Sequence, residues 1–236
     1  MKHSMFARFV HEYCKNRVAV VALVVLLFIV FMALFAPFVA PQDPYMRALL
    51  KMRDAKLVPG AIGSAGYVHW LGTDMFGRDM YSTILYGLRI SLQIGLASCA
   101  IAFAIGIVVG CSAAYIGGRF ENFIMRVVDL QLSFPAILLA MVISAILGPG
   151  RWQLTLALVF AQYAYFTRTA HGSALAESRK DYIEAALSIP LGSWRVVTRY
   201  ILPNAIPPLI VVAMVQSASA ILLEATLSFL GVGLPA

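Results

Sequence analysis

Apolar residues in this chain come in long runs, and most of its charges fall between or at the ends of them. The run 18–36 contains no charged residue. As a helix it is about 28 Å long, which matches the hydrocarbon core of a bilayer. Further runs predict spans over 88–116, 123–147, 152–166 and 205–230. Pro135 lies inside the third and predicts a kink whose freed carbonyl neighbouring helices must satisfy. Pro207 and Pro208 suit the first turn of the fifth helix. Residues 37–87 are mixed, with prolines at 37, 41, 44 and 59 and glycines at 60, 63, 66, 72 and 77. They predict a long extracytoplasmic loop with some local order. The expected fold is all-α and polytopic, with five spans.

Two shorter patterns stand out. Gly106 and Gly110 form a G-x-x-x-G within the second run, which allows helices to approach closely. In the polar stretch 171–203, Leu175, Ser178, Tyr182, Ala185, Ala186 and Ile189 recur at three- and four-residue steps, making one face of a short helix. Glu177, Lys180, Asp181 and Glu184 make the other flank, with Lys180 and Glu184 spaced as an i,i+4 pair. Pro190 and Gly192 end that helix. Ser193 is placed to cap a second short helix over 194–201. Periodicity alone leaves two readings open: a helix on the lipid surface, or a surface for another protein, which the small Ala185 and Ala186 let approach the backbone.

Composition supports the membrane. Of 236 residues, 61% are hydrophobic and 12% charged, about half the charged share of a soluble domain; mean hydropathy is +0.84. The net charge of +7 forms no basic stripe, which argues against nucleic acid. The cations flank apolar runs and favour a cytoplasmic N-terminus. The first run exceeds a signal peptide's core of roughly 7–15 residues, so a retained anchor is expected. Cys14, Cys99 and Cys111 show no C-x-x-C, and His3, His11, His69 and His171 are dispersed, so neither disulfide nor metal site is expected. The sequence lacks H-E-x-x-H, G-x-S-x-G and G-x-x-x-x-G-K-[ST]. It therefore gives no sign of an enzyme, and any ATP hydrolysis belongs to a partner. No internal repeat favours an ATP-independent channel or secondary transporter. Asp129 and Glu224 are ionisable residues at or within spans, which makes them candidates for a translocation path; Asp129 is expected to pair with Arg126 or meet solvent.

Three blocks resemble the type I ABC-importer permeases of the dipeptide/oligopeptide/nickel family, and specifically their C-type subunit. The first is His69-Trp-Leu-Gly-Thr-Asp74 with Gly77-Arg-Asp79, followed by 86–92. The second is Asp181-Tyr-Ile-Glu-Ala-Ala186 with Ile201-Leu-Pro-Asn204, similar to the "EAA" coupling loop. The third is 224–233. The resemblance implies a heterodimer with a second permease subunit, two ATPase subunits, an extracytoplasmic substrate-binding protein and membrane lipid as partners, in the bacterial cytoplasmic (inner) membrane. Peptides are the implied substrate, with nickel or glutathione as alternatives. No cofactor is implied for this chain, because ATP and Mg would sit on the ATPases.

The resemblance also implies roles. Tyr182, Glu184, Ala185 and Ala186 would meet the ATPase, Pro190 and Gly192 would set the loop's angle, and Leu202 and Pro203 would pass motion to the fifth span. Gly72, Thr73, Asp74, Gly77, Arg78 and Asp79 would offer an outer-loop contact, or pair as structural charges. The implied domains are an anchor over 1–37, an outer loop over 38–87 and a transmembrane domain over 88–236. Two departures stand out. Pro190 replaces the family's usual glycine, and the sequence stops at Ala236, where the family continues to a sixth span. The expectation is a truncated gene product, a frameshifted remnant or a shortened piece of a longer chain.

Overall fold

The computed structural model describes residues 13–46, 51–183 and 193–233. The chain divides into two units, 1–92 and 93–236. Among the described residues three helices are long and apolar enough to cross a membrane, and a bent pair makes a fourth when counted as one span. The protein is all-α in its body and polytopic.

In the first unit, α1 (Arg17–Leu34) matches the first run. Its start is fixed by Asn16, whose side chain accepts from the Val18 and Ala19 amides at 3.1 and 3.2 Å. This satisfies two of the helix's orphan donors. A short α2 (Ala36–Val39) follows. The loop then makes a 3₁₀ turn at Met52–Asp54 and a two-strand antiparallel ribbon, β1 (Ala61–Ile62) on β2 (Val68–His69), with Ala61 opposite His69. Helix α3 (Met80–Ile116) begins well before Leu88, so the end of the predicted loop is already helical.

In the second unit, the predicted kinked span is instead two helices, α4 (Gly118–Leu132) and α5 (Ala136–Leu147), bent by 94°. Pro135 is not inside a helix: it precedes α5 in extended geometry, with ψ 126°. Proline has no N–H for the ladder and disfavours helical geometry at Phe134 before it, so the chain turns a corner here rather than kinking.

The fourth predicted span lies inside the longer α6 (Arg151–Ser178). This helix is the centre of the unit. It buries Leu154, Leu158, Phe166 and Ala170 together with the polar Thr155, Gln162 and Thr167. A helix covered by protein needs less apolar surface than one facing lipid, which explains its weaker hydropathy. The G-x-x-x-G contact is real: a Cβ on Gly106 would lie 2.3 Å from Phe166 Cβ, and one on Gly110 would lie 2.5 Å from the Thr167 carbonyl oxygen, both on α6.

After the undescribed 184–192, α7 (Ser193–Val196) and a π-helical turn (Val197–Ile201) run directly into α8 (Leu202–Phe229). The predicted second short helix is therefore continuous with the last span. Pro203 occupies the first turn of α8, while Pro207 and Pro208 lie inside it.

Candidate functional site

The outer-loop block is a compact, hydrogen-bonded turn. Thr73 and Asp79 face each other as an antiparallel bridge, the Asp74 amide donates to the Arg78 carbonyl at 3.0 Å, and the Met80 amide to that of Gly72 at 3.0 Å. Gly72 and Gly77 both have φ of +76°. Cβ atoms there would lie 2.4 Å from the carbonyl oxygens of Leu57 and Lys51, so both positions need glycine.

Asp79 is fully buried. One oxygen accepts from the Ser82 amide and hydroxyl, each at 2.7 Å, and so caps α3; the other lies 2.9 Å from His69 Nδ1. A carboxylate can only accept, so Nδ1 donates. Asp74 pairs with Arg78 at 2.8 Å. Burial pushes the Asp74 carboxyl up, but bonds from the Arg78 amide, the Arg78 guanidinium and the Phe76 amide outweigh it and hold the carboxyl below its ordinary value. The Ser64 hydroxyl does the same for Asp54, against burial and with help from the Ser64 amide and from Arg53 and Lys51.

The residues nominated from the sequence here are therefore mostly scaffold: Gly72, Thr73, Gly77 and Asp79 are buried, and Asp74 and Arg78 half-buried. What the turn exposes is Trp70, Leu71, Met75 and Phe76. Leu71, Met75 and Phe76 fall inside the outer-loop block 71–79 nominated from the sequence but were not singled out, and Trp70 falls outside it. Their signal was available, as large apolar residues interleaved with turn residues outside any span.

Of the residues nominated for the coupling segment, Glu184, Ala185, Ala186, Pro190 and Gly192 lie outside the described residues. Tyr182, Leu202 and Pro203 are described, and they show how the segment is rooted. Helix α6 ends at Ser178. Lys180 turns back to Glu177 at 2.7 Å, while Glu184, its expected i,i+4 partner, lies outside the described residues. Tyr182 donates its hydroxyl to Glu177 and accepts from Asn204 Nδ2 at 3.1 Å. Bonds from Lys180 and then Tyr182 hold the Glu177 carboxyl below its ordinary value against burial. The bond to Glu177 pushes the Tyr182 hydroxyl up. Leu202 and Pro203 open α8.

The two path candidates have different settings. Asp129 pairs with Arg168 of α6, not with Arg126, and both partners are about half exposed. Arg168 lines an open cleft of about 260 Å³ with Leu132, Tyr165, Thr169, Val211 and Gln216. Glu224 is buried in α8 and accepts from Ser228 Oγ at 2.9 Å; neither Glu224 nor Asp129 is among the residues lining that cleft. A further pair, His171 Nε2 to Glu121 Oε1 at 2.7 Å, ties α6 to α4.

Comparison with known proteins gives this architecture a family. Residues 103–236 match the binding-protein-dependent transport system inner membrane component. Residues 4–59 match the N-terminal TM domain of oligopeptide transport permease C. The chain is 37% identical over 214 residues to the probable D,D-dipeptide transport system permease protein DdpC of Escherichia coli (strain K12), covering 91% of this chain and 69% of that protein. It is 38% identical over 231 residues to the di/tripeptide transport system permease protein DppC of Pseudomonas aeruginosa (strain UCBPP-PA14), covering 98% and 75%. It is 39% identical over 226 residues to the dipeptide transport system permease protein DppC of Escherichia coli (strain K12), covering 95% and 74%. With a family model matching 103–236, more than half of its length, the chain belongs to the binding-protein-dependent transport system inner membrane components.

Proposed function

We propose that this chain is the permease subunit of an ATP-driven importer that carries di- or oligopeptides across the bacterial inner membrane, with its N-terminus in the cytoplasm. It pairs with a second permease subunit. Two ATPase subunits, which hold the ATP and Mg, grip the segment around Glu184, Ala185 and Ala186. A binding protein delivers substrate to the outer face, where Trp70, Met75 and Phe76 stand out from the buried turn. Closure of the ATPases rocks the helices between inward- and outward-open states. Asp129 and Glu224 are its candidate path residues.

The observation that carries this reading is the Asp181-Tyr-Ile-Glu-Ala-Ala186 segment, held between the end of α6 and the start of α8. The peptide class rests on the transport-system names of the relatives. The test is Glu184→Lys, or Ala185 and Ala186 changed together to Leu, in the assembled importer. Peptide uptake should fall by tenfold or more, about the loss of one buried interface contact, while the chain still inserts in the membrane. Unchanged uptake overturns the reading.

A further inference from the structure

The polar groups at the root of the coupling segment form one continuous chain, and each is used in a sense open to it. Glu177 accepts Lys180 Nζ on one oxygen, at 2.7 Å, and the Tyr182 hydroxyl on the other. A tyrosine hydroxyl has one proton and free lone pairs. With the proton committed to Glu177, a lone pair takes Asn204 Nδ2 at 3.1 Å. The second N–H of that amide goes to the Tyr200 carbonyl at 2.7 Å.

The position of these groups matters as much as their chemistry. Glu177 is buried in the last turn of α6, Tyr182 stands just before the coupling residues, and Asn204 is in the first turn of α8. Tyr200 belongs to the π-helical turn that feeds α8, a widened and less favourable geometry that recurs at functional sites. Among the described residues, the end of α6 and the start of α8 thus meet in one hydrogen-bonded junction.

We propose that Glu177, Tyr182 and Asn204 form a clasp that ties the end of α6 to the start of α8, so that force reaching either stem moves both helices together. This rests on the coupling reading above, and it makes all three positioning residues. Tyr182 then acts inside the chain, where the resemblance had implied a contact with the ATPase. Without the clasp, the two stems of the loop swing independently and absorb the movement.

The test uses the full importer in liposomes and measures peptide moved per ATP hydrolysed, a ratio that does not fall merely because less complex assembles. Tyr182→Phe keeps the ring and removes both bonds of the hydroxyl. It should lower the ratio about fivefold, the scale of one or two lost hydrogen bonds. Asn204→Ala should do the same, and the double variant should be no worse than either single one, because the groups act as a unit. Glu177→Ala should uncouple, while Glu177→Gln, which still accepts from Tyr182, should recover most of the ratio. If Tyr182→Phe fails to assemble, the Asn204 and Glu177 variants decide by the same criterion. A ratio unchanged in Tyr182→Phe and Asn204→Ala overturns the clasp. Glu184→Lys separates the two claims: if it uncouples and the clasp variants do not, only the clasp falls; if it too leaves the ratio unchanged, the coupling reading falls.

Discussion

Asp79 caps α3 through Ser82 and holds His69 through its second oxygen. Asp79→Ala removes both contacts and leaves a buried imidazole N–H without its acceptor, at a cost of roughly 1–3 kcal/mol. The outer loop of this variant should be cut faster by added protease than the parent's; equal cutting rates would dismiss the capping role. Asp54 and Asp74 set the loop's response to acid. Both carboxyls are held below their ordinary value, so the unfolded loop binds protons first. The stability they lend is complete above about pH 3.9 and disappears only as pH falls through their depressed values. Protease resistance should therefore persist to about pH 4; loss near pH 6 would contradict it. At this scale the sequence announced which residues cluster, since Gly72 through Asp79 are a tight turn, but not which way they face. Asp74 and Asp79 are identical in type, yet one is half-buried beside an arginine and the other sealed against a histidine. That difference depends on His69 and on the distant Gln42, whose Oε1 accepts the Asp79 amide at 2.8 Å.

Helix boundaries were legible where lipid-like patterning dominates. Helix α1 starts at Arg17 against an expected Val18, and α8 ends at Phe229 against an expected Leu230. Where protein rather than lipid covers a helix, hydropathy said less. Helix α6 runs on to Ser178 because its far end is still packed, with Ala170 and Ala174 buried. Pro135 announced a break, but its size came from Phe134 and Ser133 leaving the helix as well. The glycines of α3 carry the clearest prediction at this scale. Gly106→Leu or Gly110→Val would drive side-chain atoms into α6 backbone, costing about 1–3 kcal/mol or more, since backbone cannot repack. Either variant should lower the yield of folded protein in detergent, whereas Gly172→Ala, where a Cβ meets nothing within 4 Å, should not. Normal yield for both large substitutions would show the contact to be unimportant.

For the whole molecule, the orientation can be read on intact cells with an impermeant thiol reagent. Cys14 is exposed beside α1, and Arg179 and Ala65 are exposed at the root of the coupling segment and in the outer loop. In a Cys14→Ser background, Ala65→Cys should label and Arg179→Cys should not; native Cys14 should also stay unlabelled. The reverse pattern would invert the topology. Polytopic character and family were legible because they depend on composition and on whole blocks of residues. The rooting of the coupling segment was not, because Glu177, Tyr182 and Asn204 meet only once α6 and α8 have folded back beside each other. One consequence follows from the bare glycine seam of α3. Side chains normally act as the bearing between two helices, flexing as one slides on the other. Here Gly106 and Gly110 bring the main chain of α3 onto α6 at Phe166 and Thr167, with the Phe103 ring edge-to-face on Phe166 beside them. Sliding of α3 along α6 would bring bulkier neighbours of the two glycines onto that backbone, so this seam resists it.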